Sequence, residues 1–133
     1  MRRTLLILVF PLAAVFVLSA PALAKPRFLE HLKSTYGLGA TVKCDYCHDV
    51  TGKEKPGKKN LGAFGKDYQK AMGTLGKDNL DAIVKSLEPM DSDGDGATNL
   101  EELKLGTKPG DGSSTPKPEL LEKFRKSQPA PKK

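Results

Sequence analysis

The sequence predicts a small, mostly α-helical domain with no substantial sheet. Three observations carry this. Apolar residues recur at three- and four-residue steps in several separate segments, the period of a helix with one buried face. No segment alternates apolar and polar residues as a half-buried strand does. Thirteen Gly and ten Pro punctuate the 133 residues, so the helices are short and the turns many.

The elements follow in chain order. Met1, Arg2 and Arg3 precede an apolar run from Leu5 to Leu18, broken by Pro11, and Ala22-Leu23-Ala24 is a small-x-small cleavage site. That is the pattern of a secretory signal peptide over residues 1–24. The apolar run is too short to cross a bilayer core comfortably, so no membrane span is expected after cleavage, and the mature chain is expected in the periplasm or outside the cell. Residues 26–36 open with Pro26 in a first-turn position and set Phe28, Leu29 and Leu32 on one helical face, ending at Gly37. Residues 37–43 connect. Residues 51–60 hold Pro56, two Gly and four Lys and read as a solvated loop.

A second helix is predicted over 61–72, with Leu61, Phe64, Tyr68 and Met72 on one stripe, and a third over 77–88. In the third, Leu80, Ile83, Val84 and Leu87 form the apolar face and Pro89 stops the helix. A short helix over 99–105 closes at Gly106. Residues 108–118 are rich in Gly, Pro, Ser and Thr and read as a linker, 119–126 as a last helix, and the remainder as a disordered basic tail. The domain is thus expected over 25–111, with 112–133 as linker, short helix and tail.

Composition narrows the function. Five Phe, three Tyr and no Trp are little core material for a compact domain, and a large enzyme core is excluded. The formal charge of +6 falls by two when Arg2 and Arg3 leave with the signal. The charge is unevenly placed: residues 25–90 carry 12 basic and 8 acidic side chains, 91–116 carry 2 and 6, and 117–133 carry 6 and 2. Scattered Lys without interleaved aromatics is a poor nucleic-acid signal, so no nucleic-acid partner is expected; such a surface suits the steering of an acidic partner protein.

Cys44-Asp45-Tyr46-Cys47-His48 is a C-x-x-C-H sequence. Two thiols on one turn can add to two vinyl groups, and a His directly afterwards brings its ring under the iron. Three other uses of these residues compete. A Cys44–Cys47 disulfide would close a tiny loop and stabilise little. A thioredoxin-like redox pair wants a βαβ setting. A zinc site needs further Cys or His, and His31 alone remains. The motif resembles the c-type cytochromes. That resemblance implies a small cytochrome c-like helical domain around one covalent haem c, attached through Cys44 and Cys47 with His48 as proximal ligand. The macrocycle would then supply apolar surface for Leu61, Phe64, Tyr68 and the leucines of the third helix.

The candidates for the sixth iron position are Met90, His31 and Met72. Met90 follows the third helix and Pro89, on a loop able to reach over a haem. It resembles the downstream loop Met of small single-haem cytochromes and is the first choice. His31 is the alternative, and Met72 lies on the apolar stripe of the second helix, where a core role suits it.

A second signal runs over residues 91–102, Asp-Ser-Asp-Gly-Asp-Gly-Ala-Thr-Asn-Leu-Glu-Glu. Oxygen-bearing side chains at positions one, three and five, Gly at six and Glu at twelve give the EF-hand calcium pattern. Carried over by position, Asp91, Asp93 and Asp95 would be side-chain ligands, Ala97 a carbonyl ligand, Asn99 a ligand through water, and Glu102 bidentate. Thr98 departs from the pattern, because a paired EF-hand has an aliphatic residue there, and there is no second loop. The segment looks more like the single calcium loops of thrombospondin type-3-like and dockerin-like segments. The competing reading is an acidic solvated turn, in which three Asp within five residues would repel one another without a cation.

Together these features point to an exported electron carrier with one haem and a structural Ca²⁺, working between redox partner proteins. No acid, base or nucleophile constellation suggests an enzyme. The alternatives are a haem-based gas sensor or peroxidase-like protein with an open distal site, and a calcium-dependent interaction module.

Overall fold

The structure is a computed structural model that describes residues 27–40, 42–50 and 60–129. The expected signal peptide, nearly all of the Lys-rich loop and the end of the basic tail lie outside the described residues. Five helices form, α1 Arg27–Tyr36, α2 Ala63–Leu75, α3 Leu80–Leu87, α4 Asn99–Leu105 and α5 Pro118–Ser127, with one 3₁₀ turn at Cys44–Tyr46. No strand or sheet forms among the described residues; an isolated antiparallel bridge pairs His48 with Leu61.

The helices fall where apolar spacing predicts them, with boundaries moved by local chemistry. The second helix starts at Ala63 instead of Leu61, because Leu61 is taken into the bridge to His48 and Gly62, with extended backbone, takes the cap position. The helix runs past Met72 to Leu75 and ends at Gly76, whose φ of +84° favours glycine. Residues 77–79 are spent on a turn in which the Asn79 amide donates to the Gly76 carbonyl, so α3 begins at Leu80. Gly106 closes α4 in the left-handed region at φ +80°.

The core is built by α1, α2, α3 and α4 with the thiol turn. Leu32, Phe64, Ile83, Val84, Leu87 and Leu103 are buried, and Tyr46, Cys47 and Tyr68 close the cluster. Phe28, Tyr68 and Phe64 form a run of ring contacts, at 5.4 Å and 6.4 Å between centroids. The few aromatics therefore suffice: they meet one another and the leucines of α3. Tyr36 ties the end of α1 to the end of α3 by donating to Glu88 at 2.8 Å. Burial, with that carboxylate beside it, raises the Tyr36 hydroxyl well above its ordinary value.

Residues 108–118, expected as a linker, lie on the domain, and Pro118 already opens α5. Pro109 and Pro116 are buried, and a Cβ at Gly110 would lie 3.2 Å from both Phe64 and the Tyr46 carbonyl. Small residues are present here because the chain passes close to other backbone, not because it swings free. Among the described residues no helix is long and apolar enough to cross a membrane.

Candidate functional site

The thiol turn is held by backbone on both sides. The Cys47 and His48 amides donate to the Cys44 carbonyl at 3.3 and 2.9 Å. On the other edge the Gly62 amide donates to the Cys47 carbonyl and the Asp49 amide to the Asn60 carbonyl, each at 2.9 Å. α2 approaches so closely that a Cβ on Gly65 would overlap the Cys47 carbonyl oxygen. Both cysteines are free thiols, Cys44 exposed and Cys47 buried. Burial, with Cys44 adjacent, pushes the Cys47 thiol up to about 12. A thiol held that high stays protonated at neutral pH, unlike the poised thiolate of a redox pair.

The Nδ1 atom of His48 is buried without a hydrogen-bond partner. Beside the ring lies a cavity of about 480 Å³ bordered by Asp45, Leu61, Ala63, Lys66 and Lys108. Two uncommitted thiols on one turn, followed by an imidazole with no hydrogen bond at a buried nitrogen, are a donor set that fits a covalent haem.

The candidates for the sixth iron position are dispersed. Met90 is 37% exposed, and its backbone is tied between Leu87 and Asn99. His31 faces α3, with Nε2 3.3 Å from Asp81 and 3.5 Å from the Thr35 hydroxyl. Met72 borders a separate cleft with Phe28 and Leu80. None of the three borders the cavity beside His48.

The acidic loop is organised by its own carboxylates. Asp91 accepts from the Gly94 and Gly96 amides at 2.8 and 3.0 Å, Asp93 from the Asp95 amide at 3.3 Å, and Asp95 from the Ala97 amide at 2.8 Å. One oxygen from each of Asp91, Asp93 and Asp95 lies within 4.8 Å of the others. Glu102 is fully buried. The Asp93 Oδ2, Asp95 Oδ2 and Glu102 Oε2 atoms are all buried without a hydrogen-bond partner. Burial, then Asp93 and Asp95, push the Glu102 carboxyl up to about 8. Unpartnered carboxylate oxygens cost free energy unless a cation or proton meets them, and this set fits a hard cation.

Asn99 and Ala97 play clearer parts in the scaffold. The Asn99 amide donates to the Leu87 carbonyl and the Ser92 hydroxyl and accepts from the Ser92 amide, closing the base of the loop. Thr98, the departure from the EF-hand pattern, caps α4: it accepts from the Glu101 amide while Glu101 accepts from the Thr98 amide. The T-x-x-E spacing carried this signal in the sequence.

Two other residues had no sequence signal. Arg125 of α5 reaches back to Glu101 through two contacts at 2.6 and 3.0 Å and donates to the Gly96 carbonyl at 3.0 Å. That contact holds the Glu101 carboxyl below its usual range. Lys108 pairs with Asp45, inside the C-x-x-C-H motif, at 2.8 Å. Comparison with family models, with the curated proteins and with solved structures finds no match, so the reading rests on the chain's own residues.

Proposed function

We propose that this chain is an exported, single-haem c-type electron carrier, working in the periplasm or outside the cell between redox partner proteins, with a structural Ca²⁺ in its acidic loop. The observation that carries the reading is the turn itself: Cys44 and Cys47 are free thiols one turn apart, and the next residue is a His with a buried, unpartnered nitrogen. Cys44 and Cys47 would hold the group by thioethers and His48 would ligate the iron. When bound, haem supplies one-electron chemistry and requires no catalytic acid, base or nucleophile from the chain. The protein's part is to fix the turn, which Gly62, Gly65 and the His48–Leu61 bridge do, and to set the charge around it. Lys66 and Lys108 border the cavity together with Asp45, Asp49 and Asp111, so its lining carries both signs of charge.

The calcium proposal rests on the converging oxygens of Asp91, Asp93 and Asp95 and on the buried, unpartnered oxygens of Asp93, Asp95 and Glu102. Met90 remains the proposed sixth ligand, with His31 as the alternative. A second reading, a haem with an open sixth position serving gas sensing or peroxidase-like chemistry, is favoured by one observation: Met90, His31 and Met72 all lie away from the lining of the cavity beside His48. Absorption spectra of the purified holoprotein with and without carbon monoxide separate the two. The electron-carrier reading expects a six-coordinate spectrum that added carbon monoxide leaves unchanged, with a near-infrared Met-to-iron band lost in Met90→Ala. Ready carbon monoxide binding by the unaltered protein would overturn it in favour of the open site.

A further inference from the structure

The C-x-x-C-H turn and the acidic loop lie far apart in sequence, yet the two middle residues of the motif are joined to the end of the loop. Asp45 pairs with Lys108 at 2.8 Å. The Tyr46 side chain is buried, and its carbonyl lies 3.2 Å from where a Cβ on Gly110 would stand.

Residues 107–111 join these points. The Thr107 amide donates to the Glu102 carbonyl at 3.0 Å and its hydroxyl lies 3.4 Å from Glu102 Oε1. The Lys108 amide donates to the Ser114 hydroxyl at 3.0 Å, Pro109 is fully buried, and Gly110 passes against the Tyr46 carbonyl and Phe64. The segment is thus fastened to Glu102 at one end and lies on the back of the thiol turn at the other. Every fastening in this chain of contacts is a hydrogen bond, an ion pair or close backbone packing, the kind of contiguous link through which two sites couple.

We propose that residues 107–111 act as a strap by which a divalent cation in the 91–102 loop tightens the Cys44–His48 turn, with Lys108 as the positioning residue through its pair with Asp45. The proposal rests on the calcium reading of the loop and deepens the haem reading of the turn. A cation that draws in Glu102 also fixes Thr107, and so the start of the strap. Lys108 then holds Asp45, and the turn bearing both thiols and His48 loses freedom.

The test is amide hydrogen exchange of the full-length holoprotein in chelator and in millimolar calcium, read at residues 44–49, with calcium binding followed separately by calorimetry. In the unaltered protein calcium should slow exchange in the turn by about fivefold or more, the lower end of ordinary coupling between sites. Lys108→Met should still bind calcium but lose this response, and Lys108→Arg should restore it. Calcium binding that leaves exchange in the turn unchanged, or changes it equally in Lys108→Met, would overturn the strap. No calcium binding by calorimetry would overturn both the strap and the calcium reading. Protein lacking haem but keeping the exchange response would leave the strap standing and sink the haem reading alone.

Discussion

The thiol turn and the acidic loop are built in opposite ways. The loop is nearly self-sufficient: Asp91, Asp93 and Asp95 satisfy backbone amides within five residues of themselves, and Asn99 closes the base. The turn is held from outside, by the Gly62 amide, by the close approach of α2 at Gly65, by Lys108 and by Gly110. A site made of local contacts writes most of its geometry into its own sequence. One made of distant contacts writes only its reactive atoms there.

Breaking the turn from a distance should have the largest effect. Gly65→Ala puts a Cβ into the Cys47 carbonyl, with backbone on both sides of the clash and no side chain to swing aside. We expect a loss of about 3 kcal/mol in denaturant unfolding, at the upper end for overpacking, while the calcium affinity of the loop changes little. Equal loss of both would mean that the loop is not self-sufficient.

The loop should be broken by its own last carboxylate. At a hundredfold excess of calcium over Kd, binding to the folded form alone adds about 2.7 kcal/mol. Glu102→Gln should abolish most of this gain, measured as the calcium-dependent shift of the thermal midpoint. A shift that survives in Glu102→Gln would show that the loop is an acidic turn.

The metal-free protein carries a pH signature of the same carboxyl. Glu102 is held near 8 against an ordinary value of 4.5, chiefly by burial. The folded state therefore keeps a proton that the unfolded chain gives up. Stability from this group is full below its ordinary value and is lost as pH rises through the window up to about 8. In chelator the unfolding free energy should fall by about 2 kcal/mol between about pH 5 and pH 8, and saturating calcium should flatten the slope. A slope unaffected by calcium would place the proton elsewhere.

The smallest effect is expected from the outer brace. Arg125→Met removes the contacts of α5 to Glu101 and Gly96, from a side chain that is 52% exposed. The cost should be about 1 kcal/mol or less, with hydrogen exchange rising in α5 and not in α2. Exchange that rises throughout would show that α5 supports the core.

The same contrast explains what was legible in the sequence. Helical periodicity located α1, α2 and α3, because each buries a stripe of apolar side chains, whereas α4 was marked by its stop at Gly106 and α5 buries no residue. The acidic loop was legible down to the carboxylates that converge, since spacing over twelve residues determines them. The contacts of the Asn99 side-chain amide to Leu87 and Ser92 were not legible, because they depend on how α3 meets α4. The start of α2 was misplaced by two residues, because the bridge of Leu61 to His48 is a long-range contact with no periodic signal. Lys108 and Arg125 carry no sequence signal for the same reason, since their partners Asp45 and Glu101 are distant in the chain. The segment 108–118 was read as a linker because its Gly and Pro are turn formers; they also permit the close backbone passage seen at Gly110.

The central claim, a haem covalently held at Cys44 and Cys47, is tested most directly by the intact mass of the protein exported from a host with haem-ligation machinery, after acid-acetone extraction. The expected result is a mature chain heavier by one haem, with the added mass absent from Cys44→Ala/Cys47→Ala. A mature chain at its unmodified mass, or a double variant that retains the haem through extraction, would contradict it.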